Sequence, residues 1–171
     1  MEKVVKEAEG TLSALENLLS AFNEKQVNEV PFPGSWTAGQ LAEHLIMANG
    51  GFVEVINGPT TETSKPADIM IESIKKDFLN FNVKFDSPAF ISPKNKEYNR
   101  SDLLAKLKEI RSNISDVITK LDLTKTCTSF ELPVYGFLTR LEAVYFIVYH
   151  TQRHTQQLKN IYSKLNTADF N

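Results

Sequence analysis

Three histidines are the side chains best suited to chemistry in this sequence of 171 residues. His150 and His154 are four positions apart in a segment with helical periodicity, so their imidazoles project from one helix face about one turn apart. His44 lies beside Leu41 and Leu45 on the apolar face of an earlier predicted helix. We therefore expect all three imidazoles to point into the interior of the protein.

Buried histidines can be explained in two ways. A single core histidine is ordinarily an imidazole that is hydrogen-bonded to a neighbour. Three together are harder to satisfy, because the adjoining apolar faces offer few polar partners and a buried polar group without one costs about 1–3 kcal/mol. A divalent metal ion satisfies three nitrogens at once. We therefore predict a metal site with His44, His150 and His154 as its ligands.

Three neutral imidazoles would leave the metal with its full charge and an open coordination position, which is typical of catalytic rather than structural zinc sites. Such a metal can lower the pKa of a bound water to about 7, or hold a thiolate substrate in its nucleophilic form. Imidazole also suits other metals. The expected cofactor is a divalent ion, zinc or nickel foremost and iron or cobalt next. Since a ligating imidazole must be neutral, metal affinity should fall as the pH drops through about 6.5.

Two glutamines lie one turn from the histidines and could orient a ligand or a bound water. Gln40 precedes His44, but it also completes a T-x-x-Q capping box with Thr37, and we expect that capping role for it. Gln157 follows His154, and the sequence leaves open whether this side chain acts at the metal or has no role there.

A catalytic carboxylate is not evident in the sequence. Glu43 is adjacent to His44 in the chain, but it lies about 100° around the helix and is expected in solvent. No Gly-rich phosphate loop or Ser–His–Asp arrangement is visible. The chemistry predicted from the residues is therefore that of the metal, with a bound water or thiolate as the reacting group.

Helical periodicity dominates the elements that must position these residues. Apolar residues recur at three and four over about 4–22, 37–57, 103–121 and from 139 onwards, and the second and last of these stretches begin with capping boxes. The segment 59–99 is less regular, with a shorter helix at about 69–81, and the alternation at 126–132 is compatible with a short extended piece. These patterns predict an all-α four-helix bundle with long connecting loops. At this length we expect one domain, residues 1–171.

Composition and charge exclude several other classes. The net charge is −2 and Lys75–Lys76 is the one adjacent basic pair, so we expect no nucleic-acid partner. Cys127 has no second cysteine to pair with, and it is expected to be a partly buried thiol in a reducing compartment. Neither a signal-peptide pattern nor an apolar run of about 20 residues is present. These features predict a cytoplasmic protein without a membrane partner.

Two segments carry a resemblance to a known family. SWTAGQLAEHL and YHTQRHTQQL, with PVYGFLT leading into the last helix, resemble the DinB-like (DinB/YfiT-like) superfamily of metal-binding four-helix bundles. The resemblance covers nearly the full chain. It implies one metal ligand on the second helix, His44, and an H-x-x-x-H pair on the last, His150 and His154. Gln157 matches a glutamine that follows the pair in the family.

The resemblance also implies an activity. It suggests a metal-dependent enzyme that acts on a small molecule, of the thiol S-transferase or hydrolase type, with a low-molecular-weight thiol as one candidate partner. The alternative is a non-catalytic metal- or ligand-binding four-helix bundle whose metal fixes helix packing. We further expect a homodimer.

Overall fold

The computed structural model describes residues 2–167. Over this range the chain forms α-helices and two very short strands, with a single 3-10 turn at Ala89–Ile91. The elements in chain order are α1 (Glu2–Ser20), α2 (Glu24–Asn28), α3 (Ala38–Asn57), β1 (Thr60–Thr61), α4 (Ile71–Phe78), α5 (Arg100–Lys120), β2 (Thr126–Cys127) and α6 (Arg140–Thr167).

The four long helices, α1, α3, α5 and α6, pack into one bundle, which confirms the predicted fold class. Both α1 and α3 pack against α5 and α6, so the two pairs enclose the apolar faces of all four. Helix α6 also contacts the short α4. This position explains why the first half of α6 is apolar on nearly every side, since a helix with several neighbours must bury several faces.

Both predicted capping boxes are present, and they fix where the histidine-bearing helices begin. Thr37 Oγ1 accepts from the backbone N–H of Gln40 (3.1 Å), and Gln40 Oε1 accepts from that of Thr37 (3.0 Å). Thr139 and Glu142 make the same reciprocal pair at α6. The second carboxylate oxygen of the buried Glu142 accepts from the backbone N–H of Met70 (2.9 Å), which ties the start of α6 to the start of α4.

Some features differ from the sequence-based expectations. Helix α2 was not predicted, because five residues are too few for helical periodicity to show. The extended piece expected at 126–132 is limited to β2, which pairs antiparallel with β1. Cys127, expected to be partly buried, is fully buried. Within residues 2–167, no helix combines the length and hydrophobicity that crossing a membrane requires.

Candidate metal centre

The bundle brings the three predicted ligands together, although His44 is more than 100 positions from His150 and His154 in sequence. Nε2 of His150 on α6 lies 3.3 Å from Nε2 of His44 on α3 and 3.0 Å from Nε2 of His154. One ligand-type nitrogen from each of the three histidines lies within 4.8 Å of the others. Two nitrogens bound to one zinc ion at 2.0–2.1 Å, with 90–110° between the bonds, would be about 2.9–3.4 Å apart. Both distances from His150 lie in this range and the remaining pair lies within 4.8 Å, which is compatible with three donors to one shared ion.

Hydrogen bonds at the far side of two rings determine which nitrogen faces the centre. Nδ1–H of His44 donates to the carbonyl oxygen of Ile91 (2.9 Å), because a carbonyl oxygen can only accept. Nδ1–H of His154 donates to Oε1 of Gln157 (2.9 Å). A neutral imidazole with its hydrogen on Nδ1 carries its lone pair on Nε2. His44 and His154 therefore both direct a lone pair toward His150.

The third ring shows that the protein alone does not satisfy this cluster. Nε2 of a neutral His150 can donate to one of the two facing lone pairs but not to both. Its Nδ1 is buried and has no hydrogen-bond partner among the described residues. A divalent cation would accept all three lone pairs at once, so the residues present fit a metal ion better than they fit each other.

Burial keeps the three imidazoles in the form that binds metal. The side chains of His44 and His150 are only 3% and 6% exposed. Desolvation lowers the pKa of His44, and it lowers the pKa of His150 to well below its usual value. Desolvation, with a smaller contribution from His44, lowers the pKa of His154 to about 3. The loss of metal affinity expected near pH 6.5 for free histidine should therefore occur at lower pH.

Aromatic rings surround the histidines. The Trp36 ring lies 5.1 Å from that of His44. Phe146 stacks on His150 at 5.4 Å, and Phe78 approaches the same ring edge-on at 5.8 Å. The metal position is therefore bounded by apolar surface, in which electrostatic interactions are stronger than in water.

The structure shows different roles for the two glutamines that were predicted to lie near the ligands. Gln40 caps α3 as predicted, whereas Gln157 contacts a histidine. Among the described residues, the candidate ligand cluster consists of the three histidines alone and contains no carboxylate. Sequence reasoning missed Ile91 and Ser87, whose Oγ lies 3.4 Å from Nδ1 of His44. A backbone carbonyl in an irregular segment has no signature in residue type, so no signal could have identified Ile91.

Comparisons with known proteins identify a matching family and relatives of this chain. A model of the DinB superfamily matches residues 7–158. The chain is 22% identical over 156 residues to Uncharacterized protein YuaE of Bacillus subtilis (strain 168), which covers 89% of this chain and 93% of that protein.

Two solved structures share the fold. TT2238, described as a four-helix bundle protein, superimposes with a TM-score of 0.59 at 19% identity, over 93% of this chain and 98% of that one. YfiT from Bacillus subtilis superimposes with a TM-score of 0.63 at 16% identity, over 96% of this chain and 87% of that one. YfiT is described as a probable metal-dependent hydrolase with an unusual four-helix bundle topology. At these identities the likeness establishes a common fold.

Proposed function

This chain belongs to the DinB superfamily, and we propose that it is a metal-dependent enzyme that acts on a small molecule. The proposed cofactor is a divalent metal ion held by His44, His150 and His154. The observation that carries the proposal is the convergence of three Nε2 atoms, two of them fixed as lone-pair donors from the far side of the ring. The description of YfiT as a probable metal-dependent hydrolase supports it.

The donor set favours catalysis over a structural role. Three neutral imidazoles leave a coordination position open for substrate, whereas structural zinc sites have four protein ligands. When bound, such a metal supplies Lewis-acid activation of a water or a thiol. The contribution of the chain is to hold three lone pairs in place, through the contacts of His44 with Ile91 and of His154 with Gln157, and to keep the surroundings apolar.

Two reactions are compatible with this site, and each has an observation in its favour. Hydrolysis of an ester or amide adds water across the scissile bond, and the likeness to YfiT favours it. In S-transfer, a thiolate forms a new S–C bond as the leaving group departs with its electron pair, and the thiol proton passes to solvent. The absence of a carboxylate from the described ligand cluster favours S-transfer, because a thiol acidified by a metal needs no general base.

The proposal is tested with protein reconstituted separately with zinc and with nickel. Turnover is measured on an activated ester, and on an alkyl halide with cysteine or glutathione as the thiol. We expect one of these reactions to depend on metal, to be lost in His154→Ala and to persist in Gln156→Ala. Gln156 is a suitable control because it lies on the same helix and its amide contacts Asn160. No turnover above background with either ion would favour the non-catalytic bundle, and equal turnover with and without metal would contradict the proposed metal dependence.

A further inference from the structure

A chain of aromatic rings leads from the metal position to the protein surface. Beginning at His150, the Phe78 ring lies 5.8 Å away, and Phe85 stacks on Phe78 at 5.6 Å. Phe85 is 52% exposed. The buried imidazole of His150 and the exposed ring of Phe85 are thus connected through one side chain, that of Phe78.

A second chain of rings begins at Phe146, which stacks on His150. Phe52 stacks on Phe146 at 4.2 Å, and Phe130 packs against Phe52 at 5.9 Å. Phe90 follows at 6.4 Å from Phe130 and is 71% exposed. The two series meet at His150 and at a contact of 5.0 Å between Phe78 and Phe146, and each ends in an exposed phenylalanine.

Both exposed rings lie on the segment 85–91, which contacts the imidazole of His44. Phe90 directly precedes Ile91, whose carbonyl oxygen accepts from His44, and Phe85 lies two positions before Ser87. Exposing large apolar side chains next to a functional site is typical of a surface that binds an apolar ligand. The two exposed rings therefore belong to the part of the surface next to the candidate metal site, not to a distant face of the protein.

The charged group that packs on Phe85, the guanidinium of Arg153, is already engaged. The guanidinium of Arg153 lies over the Phe85 ring at 4.8 Å and donates to the carbonyl oxygens of Phe78, Asn80 and Val83. Desolvation lowers its pKa. Arg153 is thus committed to the backbone, so its guanidinium does not offer its donors to a substrate.

We propose that the substrate carries an aromatic ring, or a flat apolar body of similar size, next to its reacting group. This inference rests on the proposed function. The ring packs against Phe85 and Phe90 while the reacting group reaches the metal. Offset stacking and burial of apolar area would both contribute to its binding.

The test compares two metal-binding probes on zinc-loaded protein. Acetohydroxamate and benzohydroxamate use the same chelating group and differ in a methyl against a phenyl substituent. Titration calorimetry gives a Kd for each. We expect benzohydroxamate to bind about tenfold more tightly, because burying much of a phenyl ring supplies free energy of that order. In the double variant Phe85→Ala and Phe90→Ala, benzohydroxamate should bind less than threefold more tightly than acetohydroxamate. The Kd for acetohydroxamate should be unchanged.

Phe81→Ala provides a matched control. Phe81 lies on the same segment and is 57% exposed, but it lines a groove against α1 and α6, together with Lys6 and Gln152. Its removal should leave the ratio of the two Kd values unchanged. Equal Kd values in the unaltered protein, or the same ratio in the double variant, would overturn the aromatic-substrate inference and leave the proposed function standing. Failure of both hydroxamates to bind would overturn both.

Discussion

At the scale of single residues, the direction in which each imidazole points depends on the group behind it. Gln157 accepts the Nδ1 hydrogen of His154, and the carbonyl of Ile91 accepts that of His44. Such contacts fix the tautomer and the ring orientation of a metal ligand. Gln157 is the side chain through which this effect can be tested, because a backbone carbonyl cannot be altered by substitution.

Gln157→Leu should weaken zinc binding about 10- to 100-fold, because the Nδ1 hydrogen of His154 loses its acceptor. Gln157→Glu should retain tight binding, since a carboxylate accepts the same hydrogen. Competition with a chromophoric chelator measures both affinities, and Gln156→Leu on the same helix serves as the control. Undiminished affinity in Gln157→Leu would show that the contact does not position the ligand.

The sequence predicted which three histidines point into the interior, but only part of what surrounds them. The i, i+4 spacing and the apolar neighbours sufficed to place His44, His150 and His154 on inward faces. The role of Gln157 stayed open, because periodicity does not tell whether a side chain turns toward a neighbour one turn away. Phe85 and Phe90 could not be placed either, since they lie in the irregular segment 79–99, where no periodicity fixes a direction.

At the scale of elements, one close approach fixes the start of α3 against the segment that enters α5. A Cβ added at Gly39 would lie 2.8 Å from Cβ of Tyr98. Tyr98 cannot easily withdraw, because its backbone N–H and C=O both bond to the side chain of Asn28, at 2.8 and 2.9 Å. Gly39 is therefore required by packing rather than by backbone conformation.

Gly39→Ala should lower the free energy of unfolding by about 1–3 kcal/mol, the usual cost of overpacking a core. Gly10→Ala is the matched control, because Gly10 also lies within a helix and a Cβ there would have no atom within 4 Å. That variant should raise the free energy of unfolding by about 0.5–1 kcal/mol. Urea denaturation measures both. Equal stability of Gly39→Ala and the unaltered protein would contradict the packing argument.

The elements differ in how far sequence could define them. Four helices were predicted because each is long enough for several apolar repeats, and two of them begin with capping boxes. The short α2 and the pairing of β1 with β2 depend on contacts between distant segments, such as Thr60 with Cys127, which one local pattern cannot show. A homodimer and a cytoplasmic location stay predictions.

At the scale of the whole molecule, three uncharged imidazoles couple stability to pH. The pKa values of His44, His150 and His154 are lowered in the folded protein, mainly by desolvation. Below about pH 6.5 the unfolded chain therefore binds protons that the folded chain does not. Stability must then fall as the pH drops from about 6.5 toward the lowered pKa values, and it is unaffected by these groups above that range.

The metal-free protein should therefore lose more stability between pH 7 and pH 4.5 than a variant with glutamine in place of all three histidines. We expect the difference in the free energy of unfolding to exceed about 2 kcal/mol, because a histidine whose pKa is lowered to about 3, as for His154, contributes about that much by itself. Urea denaturation at both pH values in the presence of a chelator measures it, and the carboxylates shared by the two proteins cancel in the comparison. An equal loss in both proteins would show that the imidazoles are not held uncharged by the fold.

The proposal that His44, His150 and His154 together hold one divalent metal ion is tested by the metal content of protein purified without chelator. Inductively coupled plasma mass spectrometry measures this content. We expect up to one divalent ion per chain in the unaltered protein, most of it lost in His150→Ala and none retained in the triple alanine variant, because an open three-ligand site has no donor to spare. Equal metal content in the unaltered protein and the triple variant would contradict the proposal.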